Sequence, residues 1–262
     1  MWRYLRLFIY FVRFSMSRAL EFRLDFFFRI FMDIIFYAVN IVFYKIIFLH
    51  TSVLAGWSEP QMMIFVSGYL IVDSIQMTLF SNNFYILPML INKGDLDYYL
   101  VRPVSSLFFV SLRDFAANSF INLLMTMGIL AWSIVHYPGP FSWLRTLGFL
   151  FFICIGSTVF YSLRFLSIIL SFWTHSPRGH DSLFWPMTRV MERPDRIFHG
   201  WFRLVFCTIL PFSLMASYPA RLVLDPFDIK IFLHLLSISF GLFIFAVWFW
   251  NKGLRIYSSA SS

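Results

Sequence analysis

Charge is what this chain has least of. Asp, Glu, Lys and Arg make up 13% of its 262 residues, about half of the roughly 25% typical of soluble domains. Hydrophobic residues make up 60% and mean hydropathy is +0.74, so an ordinary water-soluble fold is excluded. Cysteine is nearly absent too: Cys154 and Cys207 both fall in apolar stretches without a spacing partner, which excludes a disulfide scaffold and predicts two apolar thiols buried in their spans. No Gly-x-x-x-x-Gly-Lys-Ser/Thr loop occurs anywhere, so the chain does not by itself cradle a nucleotide in the P-loop manner. Arginines interrupt the first 25 residues and no small-residue cleavage site follows, which argues against a cleaved leader. No internal repeat is visible, which weakens an inverted-repeat carrier.

What is present is length in apolar runs. A crossing needs roughly 20 mainly apolar residues for about 30 Å of hydrocarbon, and six segments qualify: 26–49, 62–82, 104–135, 143–173, 201–218 and 231–250. The expectation is an all-α integral membrane protein with one six-helix domain over 26–250. Residues 1–25 form an interfacial amphipathic helix ahead of it, and 251–262 a tail behind. The first helix follows from Arg3, Arg6, Tyr10, Arg13, Ser17 and Glu21 recurring at three- and four-residue steps opposite Leu5, Phe8, Ile9 and Val12. Glu21, Asp25, Arg29 and Asp33 continue at four-residue spacing, so Arg29 can pair with a carboxylate on either side. Between the last two spans, Pro211, Pro219 and Pro226 disfavour continuous helix, and a broken or re-entrant segment is expected.

Lys and Arg concentrate at the N-terminal segment, after the second span (Lys93, Arg102), in 176–200 (Arg178, Arg189, Arg193, Arg196) and in the tail (Lys252, Arg255). The positive-inside rule then places both termini in the cytoplasm, and the net charge of +8 finds its partner in anionic lipid headgroups. Nucleic acid is excluded as a partner, since there is no soluble basic module. The hydrophilic stretch 176–200 reads as a cytoplasmic loop, with a short amphipathic helix on the inner surface. His175, His180, Asp181 and His199, in it or beside it, match no standard zinc spacing, so neither a metal nor a catalytic site is expected.

Two charges fall inside predicted spans, Asp73 in the second and Arg164 in the fourth, and an intramembrane charge is a functional candidate by default. Either they pair within the bundle or across a dimer interface, or they line a polar translocation path. A proton-coupled secondary carrier would use Asp73. The most polar loop of the first half, 92–106, reads as a docking loop.

That loop carries Gly-Asp-Leu-Asp at 94–97 and Arg-Pro-Val at 102–104. Further on come Leu-Pro at 210–211, Tyr-Pro-Ala at 218–220 and Trp-Asn-Lys-Gly-Leu-Arg-Ile-Tyr-Ser-Ser at 250–259. In this order and at these distances the motifs resemble the permease subunits of type-2 ATP-binding-cassette exporters. The resemblance implies six spans after an elbow helix, broken helices over 213–230 closing the outer side, and a coupling helix within the loop 84–103. It implies two permeases, identical or homologous, paired with two separate ATPase subunits that bind ATP and Mg, the permease chain itself carrying no cofactor. It also implies export from a bacterial inner membrane of a small hydrophobic or amphipathic substrate. Lys93, Gly94, Asp95, Leu96, Asp97, Tyr98, Arg102 and Pro103 would contact the ATPase, with Asp95, Asp97 and Arg102 offering charge and Leu96, Tyr98 and Tyr99 apolar area.

Overall fold

The computed structural model describes residues 2–21, 23–139, 142–174, 176 and 179–257, except for the side chains of His180 and Leu183. His175, Arg178, Ser258, Ser259 and the His180 side chain therefore lie outside the described residues. The described chain is helical, without a strand. In order it comprises α1 (Trp2–Glu21), α2 (Arg23–Phe48), α3 (Glu59–Leu79), α4 (Ser81–Lys93), α5 (Asp97–Leu100), α6 (Ser106–Leu112) and α7 (Ala117–Val135). It continues with α8 (Trp143–Ile169), α9 (Ser171–Thr174), α10 (Gly179–Thr188), α11 (Gly200–Leu204), α12 (Leu214–Leu224) and α13 (Ile229–Ile256). Five stretches are long and apolar enough to cross a membrane: α2, α3, α7, α8 continued through α9, and α13. A sixth is reached if the pair 200–209 and 214–224, bent by 99°, counts as one. The protein is a multi-pass membrane protein.

Local chemistry sets the helix ends. Ser58 and Gln61 close a capping box ahead of α3. Ser142 accepts from the Arg145 N–H at the start of α8, and Asp228 from the Lys230 N–H at the start of α13. Gly94 ends α4 at φ 77°, a left-handed conformation that glycine adopts without a Cβ penalty.

α3 is the central helix. It is apolar on every side, as a helix surrounded by protein must be, and Met62 through Val72 are buried without interruption. α2 and α13 are equally apolar but expose long rows of side chains, such as Phe27, Phe28, Phe31 and Val39 on α2. α3 makes its close contacts through small residues. Gly68 sits against Phe149 and Ile153 of α8, and Ser74 bonds Leu70 and Thr126, so neighbouring helices approach α3 closely.

The predicted third span is interrupted. Arg113 and Asp114 fall in a break between α6 and α7, where Asp114 receives Arg18 of α1 at 2.5 Å and the Asn82 amide at 3.2 Å. α1 packs along this stretch through Tyr4 on Phe108, Phe11 on Phe109 and the buried Ser15, whose hydroxyl accepts from the Phe115 N–H.

The largest departure from expectation concerns 176–200. Instead of lying on a surface, the described part returns into the bundle alongside α8: Asp181 meets Arg164 at 2.6 Å and Phe184 meets Phe160. The chain then climbs to the end holding the α2–α3 link. There Tyr44 donates to the Glu192 carbonyl, and Arg196 pairs with Asp225 beside the buried Trp57. The predicted fifth span, 201–218, is not one helix: α11 runs into a turn of π-helix (Val205–Ile209), breaks before Pro211 and reverses into α12. α12 is seated on α8, with Gly156 against the backbone of Met215. Asp195, wholly buried, binds Arg221 of α12 at 2.7 Å, approaches Arg203 of α11 at 3.6 Å, and donates its backbone N–H to Ser217. Ion pairing is what allows these charges inside an apolar bundle.

Candidate functional site

Two features stand out, a protruding turn and a half-open cavity. The turn lies between α4 and α6, with α5 at its tip. Lys93, Asp95, Tyr98, Val101, Arg102 and Pro103 are exposed, Val101 by 77%. Gly94 makes the reversal and Asp97 opens α5. Arg102 lies over the Tyr98 ring at 4.6 Å, which presents a cation and an aromatic edge as one surface.

Two of the expected contact residues point the other way. Leu96 is fully buried and Tyr99 nearly so, packed with Phe109 while Arg113 donates to its hydroxyl. They are unavailable as outward apolar area; they fasten the turn to the helices. Tyr257 adds a second fastening, since the Leu96 N–H donates to its hydroxyl at 3.1 Å. Burial against the turn, with Asp97 nearby, raises the Tyr257 phenol above its ordinary pKa. The tail motif holding Tyr257 drew notice only as a resemblance; nothing in its spacing signals a contact with the turn.

The cavity, about 680 Å³, lies between α2, α3, α7 and the returning segment. Asp73 lines it, and among the described residues its carboxylate makes no hydrogen bond or ion pair. Asp33 shares the cavity and accepts from the Asn122 amide. Of the two carboxylates flanking Arg29, it pairs with Asp25 at 2.8 Å, both well exposed, while Asp33 lines the cavity. Glu192, Arg189 and Arg193 complete the charged lining, with Arg193 over Phe43 at 5.0 Å.

Arg164 is not brought together with Asp73. It is buried, paired with Asp181, and stacked under Phe184 and Trp185 at 5.0 and 5.1 Å. Among the described residues no group of three or more His, Cys, Asp or Glu has the arrangement of a metal site.

A family model described as "ABC-2 family transporter protein" matches residues 34–261. The chain belongs to this family, that of the type-2 ATP-binding-cassette permeases, whose members are membrane subunits that work with an ABC ATPase. No curated protein matches the chain. No solved structure matches it either. Nothing in these comparisons supports the proton-coupled carrier.

Proposed function

We propose that the chain is the permease subunit of an ATP-driven exporter in a bacterial inner membrane, and that the 93–103 turn is where its ATPase docks. The carrying observation is the turn's two-sided construction. Lys93, Asp95, Tyr98, Arg102 and Pro103 face outward, while Leu96, Tyr99 and Tyr257 clamp the inner side to α6 and α13. A surface meant to transmit force needs that rigidity, because a push on a loose loop is lost in the loop. Asp97, half-buried at the start of α5, orients the turn.

In this reading α1 is the elbow helix and both termini are cytoplasmic. The six crossings are α2, α3, α6–α7, α8, the returning segment 179–198 and α13. The α11–α12 pair is a re-entrant hairpin closing the outer side, held there by Asp195, Arg221, Arg196 and Asp225. Two permeases, identical or homologous, pair within the lipid. ATP and Mg bind in the partner ATPases, whose closure drives the turns and swings the permeases from inward- to outward-facing. The substrate is small and hydrophobic or amphipathic.

The test is purification of the tagged chain from its native membrane in mild detergent. A stoichiometric P-loop ATPase that is lost from the Asp95→Lys/Arg102→Glu variant supports the assignment. Retention of the ATPase by that double charge reversal removes the turn from the docking role.

A further inference from the structure

We infer that the cavity beside Asp73 is a binding site for an amphipathic organic cation, a quaternary or protonated amine or phosphonium with an aromatic or branched apolar body. The identity of the ligand as transported substrate rests on the exporter reading above; the binding itself does not.

Charge is the first argument. Asp33 and Asp73 project from α2 and α3 into one cavity, and an uncompensated carboxylate in an apolar bundle is costly. Elsewhere in this protein the buried charges are paired: Asp195 with Arg221, Arg164 with Asp181. Asp73, partly buried on the cavity wall, has by contrast neither a cation nor a hydrogen-bond donor among the described residues. The remaining charges of the lining, Glu192, Arg189 and Arg193, sum to one positive charge, so with the two aspartates the lining keeps a net charge of −1.

The second argument is independent of the acids. The Tyr69 hydroxyl and the Asn122 carbonyl oxygen have no hydrogen-bond partner, although the two residues are each only 1% exposed and both line the cavity. Buried polar atoms are normally satisfied, so two orphans on one cavity mark a place for a ligand or its water. The walls supply the rest: Phe36, Tyr37, Phe43 and Trp185 surround the acids, and aromatic faces attract organic cations.

Size and coordination narrow the class. About 680 Å³ falls in the range of drug-sized ligands and is far more than a bare metal ion fills. A hard divalent cation would also require six or more converging oxygens, and no group of three or more His, Cys, Asp or Glu arranged to hold a metal occurs among the described residues. An anionic lipid-linked molecule is repelled by the same two carboxylates.

The test uses two ions of nearly equal size and shape and opposite charge, tetraphenylphosphonium and tetraphenylborate. Equilibrium dialysis is run with the purified full-length chain in neutral detergent, against empty micelles as reference. Saturable binding of the phosphonium at one per chain is expected, with none of the borate. Asp73→Asn should weaken phosphonium binding roughly tenfold or more, while Glu59→Gln, an exposed change on the same helix, leaves it unaltered. Asp33→Asn gives the same reading should Asp73→Asn fail to fold. Equal binding of both ions, or unchanged phosphonium affinity in the aspartate variants, overturns the inference. Saturable, aspartate-dependent binding without a co-purifying ATPase sustains the site and sinks the exporter reading; the reverse result sinks only the site.

Discussion

Gly156 is the position at which α8 and α12 come closest, and substituting it tests the seating of the hairpin. A Cβ added there would lie 2.1 Å from the Met215 carbonyl oxygen and 2.9 Å from its carbon, whereas unstrained contact begins at about 3.5 Å. Both neighbours are backbone atoms, so no side chain can swing aside; α12 must move by roughly 1 Å, against the buried Asp195–Arg221 pair that holds it. Overpacking of this kind costs about 1–3 kcal/mol, and the absence of a flexible neighbour puts Gly156→Ala toward the upper end. Ala in a helix interior returns up to about 1 kcal/mol of propensity, leaving a net loss near 2 kcal/mol. Gly148, on the same helix, has nothing within 4 Å of its added Cβ, so Gly148→Ala keeps the gain without the clash. The two variants should differ by about 3 kcal/mol, or on the order of 6–12 °C in Tm for a chain of this size. Gly68→Ala falls between them, because its obstacle at 2.8 Å is the tip of the Phe149 side chain, which gives more readily by a small swing at χ1 than backbone does. Thermal unfolding followed by tryptophan fluorescence in detergent reads the order. Gly156→Ala melting at or above Gly148→Ala would refute the close α8–α12 crossing.

Asp195→Ala leaves the Arg221 guanidinium only the more distant Asp225, at 3.9 Å, and should cost about 3 kcal/mol, the lower end for a broken buried pair, whereas Asp25→Ala, breaking the exposed pair with Arg29, should stay within about 1 kcal/mol; thermal melts of both check the contrast. Leu96→Ala should destabilise by roughly 2–5 kcal/mol and Val101→Ala hardly at all, since one is buried and the other 77% exposed; the ATPase should nonetheless be lost more readily from a Val101→Asp variant. Tyr257→Phe removes the acceptor of the Leu96 N–H and should cost about 1 kcal/mol, seen as faster hydrogen exchange across α5.

The helical, membrane-spanning character was plain in the sequence because hydropathy reports burial away from water, whichever apolar neighbour replaces it. For the same reason it did not distinguish α3, surrounded by protein, from α2, which carries exposed apolar rows. The segment 176–200 misled for a different reason. Arg189, Glu192, Arg193, Asp195 and Arg196 have the composition of a solvated loop, but the residues that neutralise Asp195 and Arg196 are Arg221 and Asp225, 26 and 29 positions away, and pairing at that range leaves no local periodicity. Pro211 did signal the broken helix, since a missing N–H and a ring clash are local facts, whereas Pro219 is accommodated inside α12. In the turn, composition marked 93–103 as a surface feature, yet which of Leu96, Tyr98 and Tyr99 face outward depends on the Gly94 reversal and on Phe109 and Tyr257, neither of which adjoins them. Asp73 was visible as an intramembrane charge; its companion Asp33 stood in a four-residue ladder that offered it to Arg29 instead.

The central claim is that an ATPase meets the exposed side of the 93–103 turn. A photoreactive amino acid placed at Val101, and as a control at Val135, which is 79% exposed at the far end of α7, tests it in native membranes. The account predicts a light-dependent adduct between the Val101 variant and a P-loop ATPase, and none from the Val135 variant. An ATPase adduct from Val135 alone, or none from Val101 in membranes where the complex is assembled, contradicts it.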